Sequence, residues 1–80
     1  MPVSLRAAAL RTALERAVDQ PVHLLATERG MRAYVTAPKP SDTAAWTRAL
    51  EALRSADVWG STDAHGTPEI WAEIREGEQP

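Results

Sequence analysis

Cysteine is absent from this chain of 80 residues. Its absence excludes a disulfide framework, a thiolate metal site and a cysteine nucleophile. The two histidines, His23 and His65, are far apart in the sequence, and no thiolate accompanies them. We therefore expect neither a metal ion nor another cofactor.

Long apolar runs and glycine-rich loops are also missing. No segment reaches the roughly 18 apolar residues that cross a bilayer, and the N-terminus lacks the apolar core of a signal peptide. The opening segment does imitate a mitochondrial presequence, but we expect it to be a packing helix and the protein to be cytoplasmic. The four glycines stand singly at positions 30, 60, 66 and 77, which excludes a phosphate-binding glycine loop.

An excess of positive charge is lacking as well, because the formal net charge is −2. The global basic field that supports non-specific nucleic-acid binding is therefore absent. Hydrophobic residues make up 44% of the chain and charged residues 25%, as in an ordinary globular domain. The length predicts a single domain over residues 1–80 that gains stability from a partner subunit.

Two amphipathic helices are predicted. Ser4 can cap the first, which runs to about Asp19, and Ser41 or Asp42 can cap the second, which runs to about Ala56. Apolar residues recur in both at the helical i, i+3, i+4 spacing. They are Val3, Ala7, Leu10, Leu14, Ala17 and Val18 in the first helix, and Trp46, Ala49, Leu50, Leu53 and Ala56 in the second.

Each helix is followed by a predicted β-hairpin. In the first, strands over 22–27 and 31–36 meet at a turn that contains Gly30, with Leu24 opposite Val35. The alternation places one set of residues towards the core and another on the outer face. The core set is Val22, Leu24, Ala26, Met31, Ala33 and Val35; the outer set is His23, Leu25, Thr27, Arg32, Tyr34 and Thr36.

The second hairpin decides where two tryptophans lie. A turn over 63–66, with Gly66 left-handed, places Trp59 opposite Trp71 on the face that also carries three charges. That face is Trp59, Trp71, Glu69, Glu73 and Arg75; the other is Val58, Ile70, Ala72 and Ile74. A charged face is not a core face, so both tryptophans are predicted to point outward as a cross-strand pair. The alternative is a loop one residue longer or shorter, with Trp59 inside beside Ile70. Gly60 predicts a bulge or the close approach of the second helix or another backbone.

Short identities between residues 1–37 and 41–76 indicate an internal repeat of helix, strand, turn and strand. Residues 77–80 are expected to be a frayed tail. The order αββαββ predicts an α+β fold with a four-stranded antiparallel sheet and two helices packed on one face, a permuted ferredoxin-like arrangement. The second strand of each hairpin is then central, which makes Tyr34 and Trp71 neighbours on the uncovered face.

Such an aromatic face predicts a small non-catalytic protein-interaction module that homodimerises through its open sheet face. The predicted partner-binding residues are Trp59, Trp71, Tyr34, His23, Leu25, Arg32, Glu73 and Arg75. The alternative is a single-stranded nucleic-acid-binding protein that stacks bases on Tyr34 and Trp71. Charge disfavours this alternative, because Glu69 and Glu73 oppose the few basic residues expected nearby, Arg32, Arg75 and Lys39.

Catalysis is the third hypothesis. Asp63 and His65 share one turn and form a possible acid–base pair, with Ser61 or Thr62 as a nucleophile. No orienting group or oxyanion site is visible in the sequence, and these residue types are also common in turns. We therefore expect a protein that is not an enzyme.

Overall fold

The computed structural model describes residues 4–64 and 66–75. It contains helices α1 (Leu5–Val18) and α2 (Thr43–Leu53) and strands β1 (His23–Thr27), β2 (Gly30–Thr36), β3 (Val58–Thr62) and β4 (Glu69–Arg75). All four strands form one antiparallel sheet in the order β1-β2-β4-β3. The α+β class and the order of elements are as predicted. The expected frayed tail and His65 lie outside the described residues.

Side-chain caps begin both helices. Ser4 Oγ accepts the backbone N–H of Ala7 at 3.0 Å, and Asp42 Oδ1 accepts that of Ala45 at 3.1 Å. Each contact satisfies one of the N–H groups that a helix leaves unpaired in its first turn. The cap predicted for α1 is confirmed, and of the two candidates for α2 Asp42 is the cap. Helix α2 ends at Leu53, about one turn before the predicted end.

The core lies between the two helices and one face of the sheet. It contains residues from both helices and alternate residues of the two central strands, as the apolar spacing predicts. Its buried members are Leu10, Leu14, Ala17, Val22, Ala33, Val35, Ala49, Ala52, Leu53, Ile70, Ala72 and Ile74. Trp46 and Leu50 are half-buried at its margin. No core residue comes from the opposite face of the sheet in the described part of the chain, so we call that face the open face.

The register of the first hairpin differs by two residues from the predicted one. Leu24 pairs with Ala33 rather than with Val35, and Thr27 pairs with Gly30 across a two-residue loop. Thr27 Oγ1 accepts the Gly30 N–H at 3.1 Å and thereby closes this loop. Because side chains alternate with a period of two, the shift keeps each residue on its predicted face.

The second hairpin differs from its predicted register by one residue. Trp59 pairs with Ala72, and Trp71 pairs with Gly60. Residues paired across antiparallel strands point to the same face, and Ala72 is a core residue. Trp59 is therefore on the helix-covered face with Ile70, as in the alternative register, while Trp71 is on the open face. The predicted Trp59–Trp71 pair is wrong.

The cause of the shift is a longer loop. The predicted turn forms, since the Gly66 N–H donates to the Asp63 carbonyl at 3.0 Å and Gly66 has φ +87°. Strand pairing, however, does not begin until Thr62 meets Glu69. Pro68 has no N–H to donate to a ladder, and its carbonyl accepts the Ala37 N–H at 3.0 Å. These contacts move the start of β4 beyond the three-residue loop that the turn alone predicts.

Candidate functional site on the open sheet face

A single row of side-chain positions crosses the whole open face. His23 on β1 pairs with Tyr34 on β2, Tyr34 pairs with Trp71 on β4, and Trp71 pairs with Gly60 on β3. We call these four residues the aromatic row. As predicted, Tyr34 and Trp71 are neighbours on the two central strands, with His23 at one edge. Both central aromatics are half-buried and His23 is exposed.

The Trp71 indole packs directly against Gly60. A Cβ atom at position 60 would lie 3.0 Å from Trp71 Cζ2 and 3.2 Å from Cε2, closer than ordinary van der Waals contact. Gly60 pairs with Trp71 within a continuous strand, so it marks neither a bulge nor the approach of another backbone. The group that approaches Gly60 is the Trp71 side chain, and the absence of a Cβ allows the indole to pack directly against β3.

An ion-pair cluster occupies the next row of the open face. The Glu73 carboxylate accepts hydrogen bonds from Arg32 Nε at 3.1 Å and Nη2 at 2.7 Å, and from Arg75 Nε at 3.5 Å. Glu73 is only 6% exposed, although it is on the face that neither α1 nor α2 covers. Charge-assisted bonds to an arginine compensate much of the cost of removing a carboxylate from water.

The same arginine covers the indole. Arg32 Cζ lies 4.5 Å from the centre of the Trp71 ring, within the range of a cation–π contact. Hydrogen bonds to the Tyr34 side chain and then to Glu73 raise the pKa of Arg32 above its ordinary value. Arg32 thus joins the aromatic row to the ion-pair cluster.

Glu73 is held in its charged form. The hydrogen bond from Arg32 outweighs the effect of burial and lowers the pKa of the Glu73 carboxyl below its ordinary value of 4.5. Two arginine side chains cover this carboxylate, and 35% of the Arg32 side chain and 37% of the Arg75 side chain remain exposed. An approaching partner therefore meets guanidinium groups here, rather than the bare glutamate that the sequence predicts.

Besides His23, two predicted site residues are on the edge strands. Leu25 on β1 is 56% exposed and pairs with Arg32, which places it on the open face beside the aromatic row. Trp59 on β3 is 44% exposed but is on the opposite face. The structure therefore brings together seven of the eight predicted residues and separates Trp59 from them.

A groove of about 650 Å³ opens at one end of the sheet, and its lining includes residues of both sheet faces. It lies between the start of α2, the end of β3 and the connector that follows β2. Its lining residues are Thr36, Ala37, Pro38, Lys39, Pro40, Trp46, Ser61, Thr62, Asp63, Pro68 and Glu69. The sequence gives no signal for this groove beyond its three prolines and the position of Trp46 at the margin of the helical stripe.

The residues of the catalytic hypothesis form a local turn in the described part of the chain. Thr62 Oγ1 accepts the backbone N–H of Ala64 at 3.1 Å, and the Asp63 carbonyl accepts that of Gly66. These contacts are typical of turn chemistry. The second partner of the possible acid–base pair, His65, lies outside the described residues.

Comparisons of the chain with protein-family models, with curated proteins and with solved structures find no match. Neither α1 nor α2, the helices of the described residues, has the length and apolar character needed to cross a bilayer. The functional argument therefore rests on the geometry of the chain's own residues.

Proposed function

We propose that this protein is a small interaction module that homodimerises through its open sheet face. The observation that carries the proposal is the aromatic row, which crosses the two central strands on the face opposite the helices, with Leu25 beside it. Aromatic residues and arginine are enriched at the centres of protein interfaces, and both are present here. The proposed contact residues are His23, Leu25, Arg32, Tyr34, Trp71, Glu73 and Arg75.

The symmetry of the row supports a second copy of the chain as the partner. Tyr34 and Trp71 occupy corresponding positions in the two halves of the predicted repeat, and they pair with each other. The open face therefore has an approximate two-fold character of its own, which suits an isologous contact. The strand order β1-β2-β4-β3 also supports the permuted ferredoxin-like arrangement, which leaves one sheet face free in this way.

The size of the face limits the area of the contact. Four strands about 4.8 Å apart and up to about 23 Å long span roughly 440 Å² in projection. A standard interface buries about 800 Å² on each partner, so this contact belongs at the small end of specific interfaces. We expect a dimer with a dissociation constant in the micromolar range, of the kind that a few central aromatic residues can support.

Single-stranded nucleic-acid binding is the alternative use of the same face. Coverage of Glu73 by two arginines removes part of the electrostatic objection to it. Against it, Arg32 already occupies one side of the Trp71 ring, where a base would have to stack. The protein interface is therefore the better-supported proposal, and a cytoplasmic, non-enzymatic role accompanies it.

Replacement of Leu25 by lysine tests the proposal. Leu25 is exposed at the edge of the open face, so Leu25→Lys should leave the monomer folded while it places a charge in the dimer contact. We expect sedimentation equilibrium to show at least a tenfold weaker association for this variant. Leu5→Lys is the matched control, because Leu5 is 90% exposed on α1, away from the sheet.

Two results would contradict the dimer. One is equal association of the Leu25→Lys variant and the wild type. The other is salt-sensitive quenching of tryptophan fluorescence by single-stranded oligonucleotides, lost on Trp71→Ala, in a wild type that stays monomeric at millimolar concentration. That second result would support the nucleic-acid alternative instead.

A further inference from the structure

Strand β3 is an edge strand without the usual protection. It borders β4 on one side and no described strand on the other. Its sequence, Val58-Trp-Gly-Ser-Thr62, contains no charged residue and no proline. Natural edge strands usually carry such residues, which prevent the pairing of unsatisfied backbone groups with another chain. The bare edge of β3 is thus suited to accept one more strand.

The helix-covered face of β3 carries an exposed tryptophan and a residue that lines the groove described above. Trp59 is 44% exposed and pairs with the core residue Ala72. Ser61 points to the same face, since it pairs with the buried Ile70, and it lines the groove beside Trp46. An exposed indole and an unfilled groove therefore lie two residues apart along one side of one strand.

We propose that β3 pairs in antiparallel fashion with β3 of a second copy, about a two-fold axis at Gly60. This register places Trp59 of each copy opposite Ser61 of the other, at the mouth of the other copy's groove. The axis brings Gly60 next to its own counterpart, where neither chain has a side chain on this row. Both indoles are then covered and both grooves are occupied by the same symmetric contact.

The pairing rules favour this arrangement over others on the same edge. Residues that oppose each other across antiparallel strands point to the same face of the sheet. Both copies therefore keep their helices on one side of the extended sheet only if odd-numbered residues of one β3 oppose odd-numbered residues of the other. An axis at Trp59 satisfies that rule but sets the two indoles against each other and leaves the grooves unused. The other edge strand, β1, also lacks proline, acidic residues, lysine and arginine, but its exposed apolar side chain, Leu25, is on the open face, and no β1 residue lines the groove that Ser61 of β3 lines.

This contact uses a different surface from the open face, so it goes beyond the proposed dimer. Edge pairing joins two four-stranded sheets into one of eight strands, and face-to-face packing then stacks two such sheets. If both contacts form, each about its own two-fold axis, the expected assembly is a tetramer. Loss of either contact alone leaves a dimer.

Matched lysine substitutions separate the two contacts. Ser61→Lys places a charge on the β3 edge, and Ala26→Lys places the same charge on the exposed β1 edge as a control. By sedimentation velocity, we expect the wild type and Ala26→Lys to be tetramers, Ser61→Lys and Leu25→Lys to be dimers, and the double variant Ser61→Lys, Leu25→Lys to be a monomer. An unchanged mass for Ser61→Lys overturns the edge pairing, whereas an unchanged mass for Leu25→Lys overturns the open-face dimer.

Hydrogen exchange of the wild type provides a test that needs no variant. Edge pairing protects amides of β3 that point away from β4, and dilution should release them, while β1 amides that point away from β2 stay unprotected at all concentrations. Exchange of β3 that is fast and independent of concentration would contradict the inference, even if Ser61→Lys failed to fold. A monomeric wild type at millimolar concentration would contradict both contacts.

Discussion

At the scale of single residues, the open face depends on the contact between Gly60 and Trp71. The glycine provides the space, and the indole fills it and is in turn covered by Arg32. In an edge strand a β-branched residue would normally be preferred to glycine by about 1 kcal/mol. The glycine at position 60 is therefore explained by the tryptophan beside it rather than by strand propensity.

Substitution of Gly60 by valine tests this explanation. In the wild-type background we expect Gly60→Val to lower the free energy of unfolding by about 1–2 kcal/mol, because its side chain would displace the indole. In a Trp71→Ala background the same substitution should be neutral or stabilising. Urea unfolding of the four proteins measures the coupling. Equal effects in the two backgrounds would show that Gly60 does not act through Trp71.

The sequence predicted that Tyr34 and Trp71 are neighbours in the site but not that Trp71 packs on Gly60. Tyr34 and Trp71 follow from strand alternation, which is a local property. The close approach of Trp71 to Gly60 depends on which residue of β3 lies opposite the indole. No pattern within β3 or β4 contains that information.

At the scale of elements, helix α1 ends on a cap residue with an unfavourable backbone conformation. Asp19, the C-cap, has φ +57° and ψ +42°, a left-handed conformation that costs an ordinary L-residue roughly 1 kcal/mol. Its carboxylate also stands at the negative end of the helix dipole. Glycine is the residue that most often occupies such a position.

Replacement of Asp19 by glycine should therefore stabilise the protein. We expect Asp19→Gly to raise the free energy of unfolding by about 1 kcal/mol in thermal or urea unfolding. Asp19→Ala is the control, because it removes the charge but keeps the strained conformation, and its gain should be smaller. A larger gain for alanine than for glycine would mean that charge, and not backbone conformation, dominates at this cap.

The two hairpins show how far element-level prediction extends. In the first, an error of two residues left every side chain on its predicted face. In the second, an error of one residue moved Trp59 to the helix-covered face. A hairpin register is set by its turn, and the turn of the second hairpin is extended because the Pro68 carbonyl accepts the N–H of Ala37, which follows β2 in the other half.

At the scale of the whole molecule, a series of ion pairs and one backbone hydrogen bond connects α1 to β2, β4 and the residue before β3. Arg6 of α1 donates to Asp57 Oδ1 at 3.3 Å, and the Arg75 backbone N–H donates to Asp57 Oδ2 at 2.7 Å. Arg75 in turn contacts Glu73, which binds Arg32. The backbone contact from Arg75 and then Arg6 lower the pKa of Asp57, as Arg32 lowers that of Glu73.

The sign of these shifts predicts loss of stability in acid. A carboxyl whose pKa is lowered by folding contributes stability above its unfolded pKa, and that contribution disappears as the pH falls below that value. We therefore expect the free energy of unfolding to fall between about pH 5 and pH 3. Glu73→Gln should cost about 1–3 kcal/mol at pH 7 and make this decline shallower. Glu51→Gln, at an exposed site on α2, is the control; an equally steep decline in both variants would exclude Glu73 as a main contributor.

The sequence by itself determined the α+β class, the order of the elements, the cap of the first helix and the two faces of the first hairpin. These features depend on side-chain period, capping chemistry and glycine conformation, all of which act within a few residues of the chain. Only the tertiary structure decided which sheet face carries Trp59, the packing of Trp71 on Gly60 and the burial of Glu73 beneath two arginines. Each of those depends on the register between strands, and contacts between the two halves of the chain fix that register.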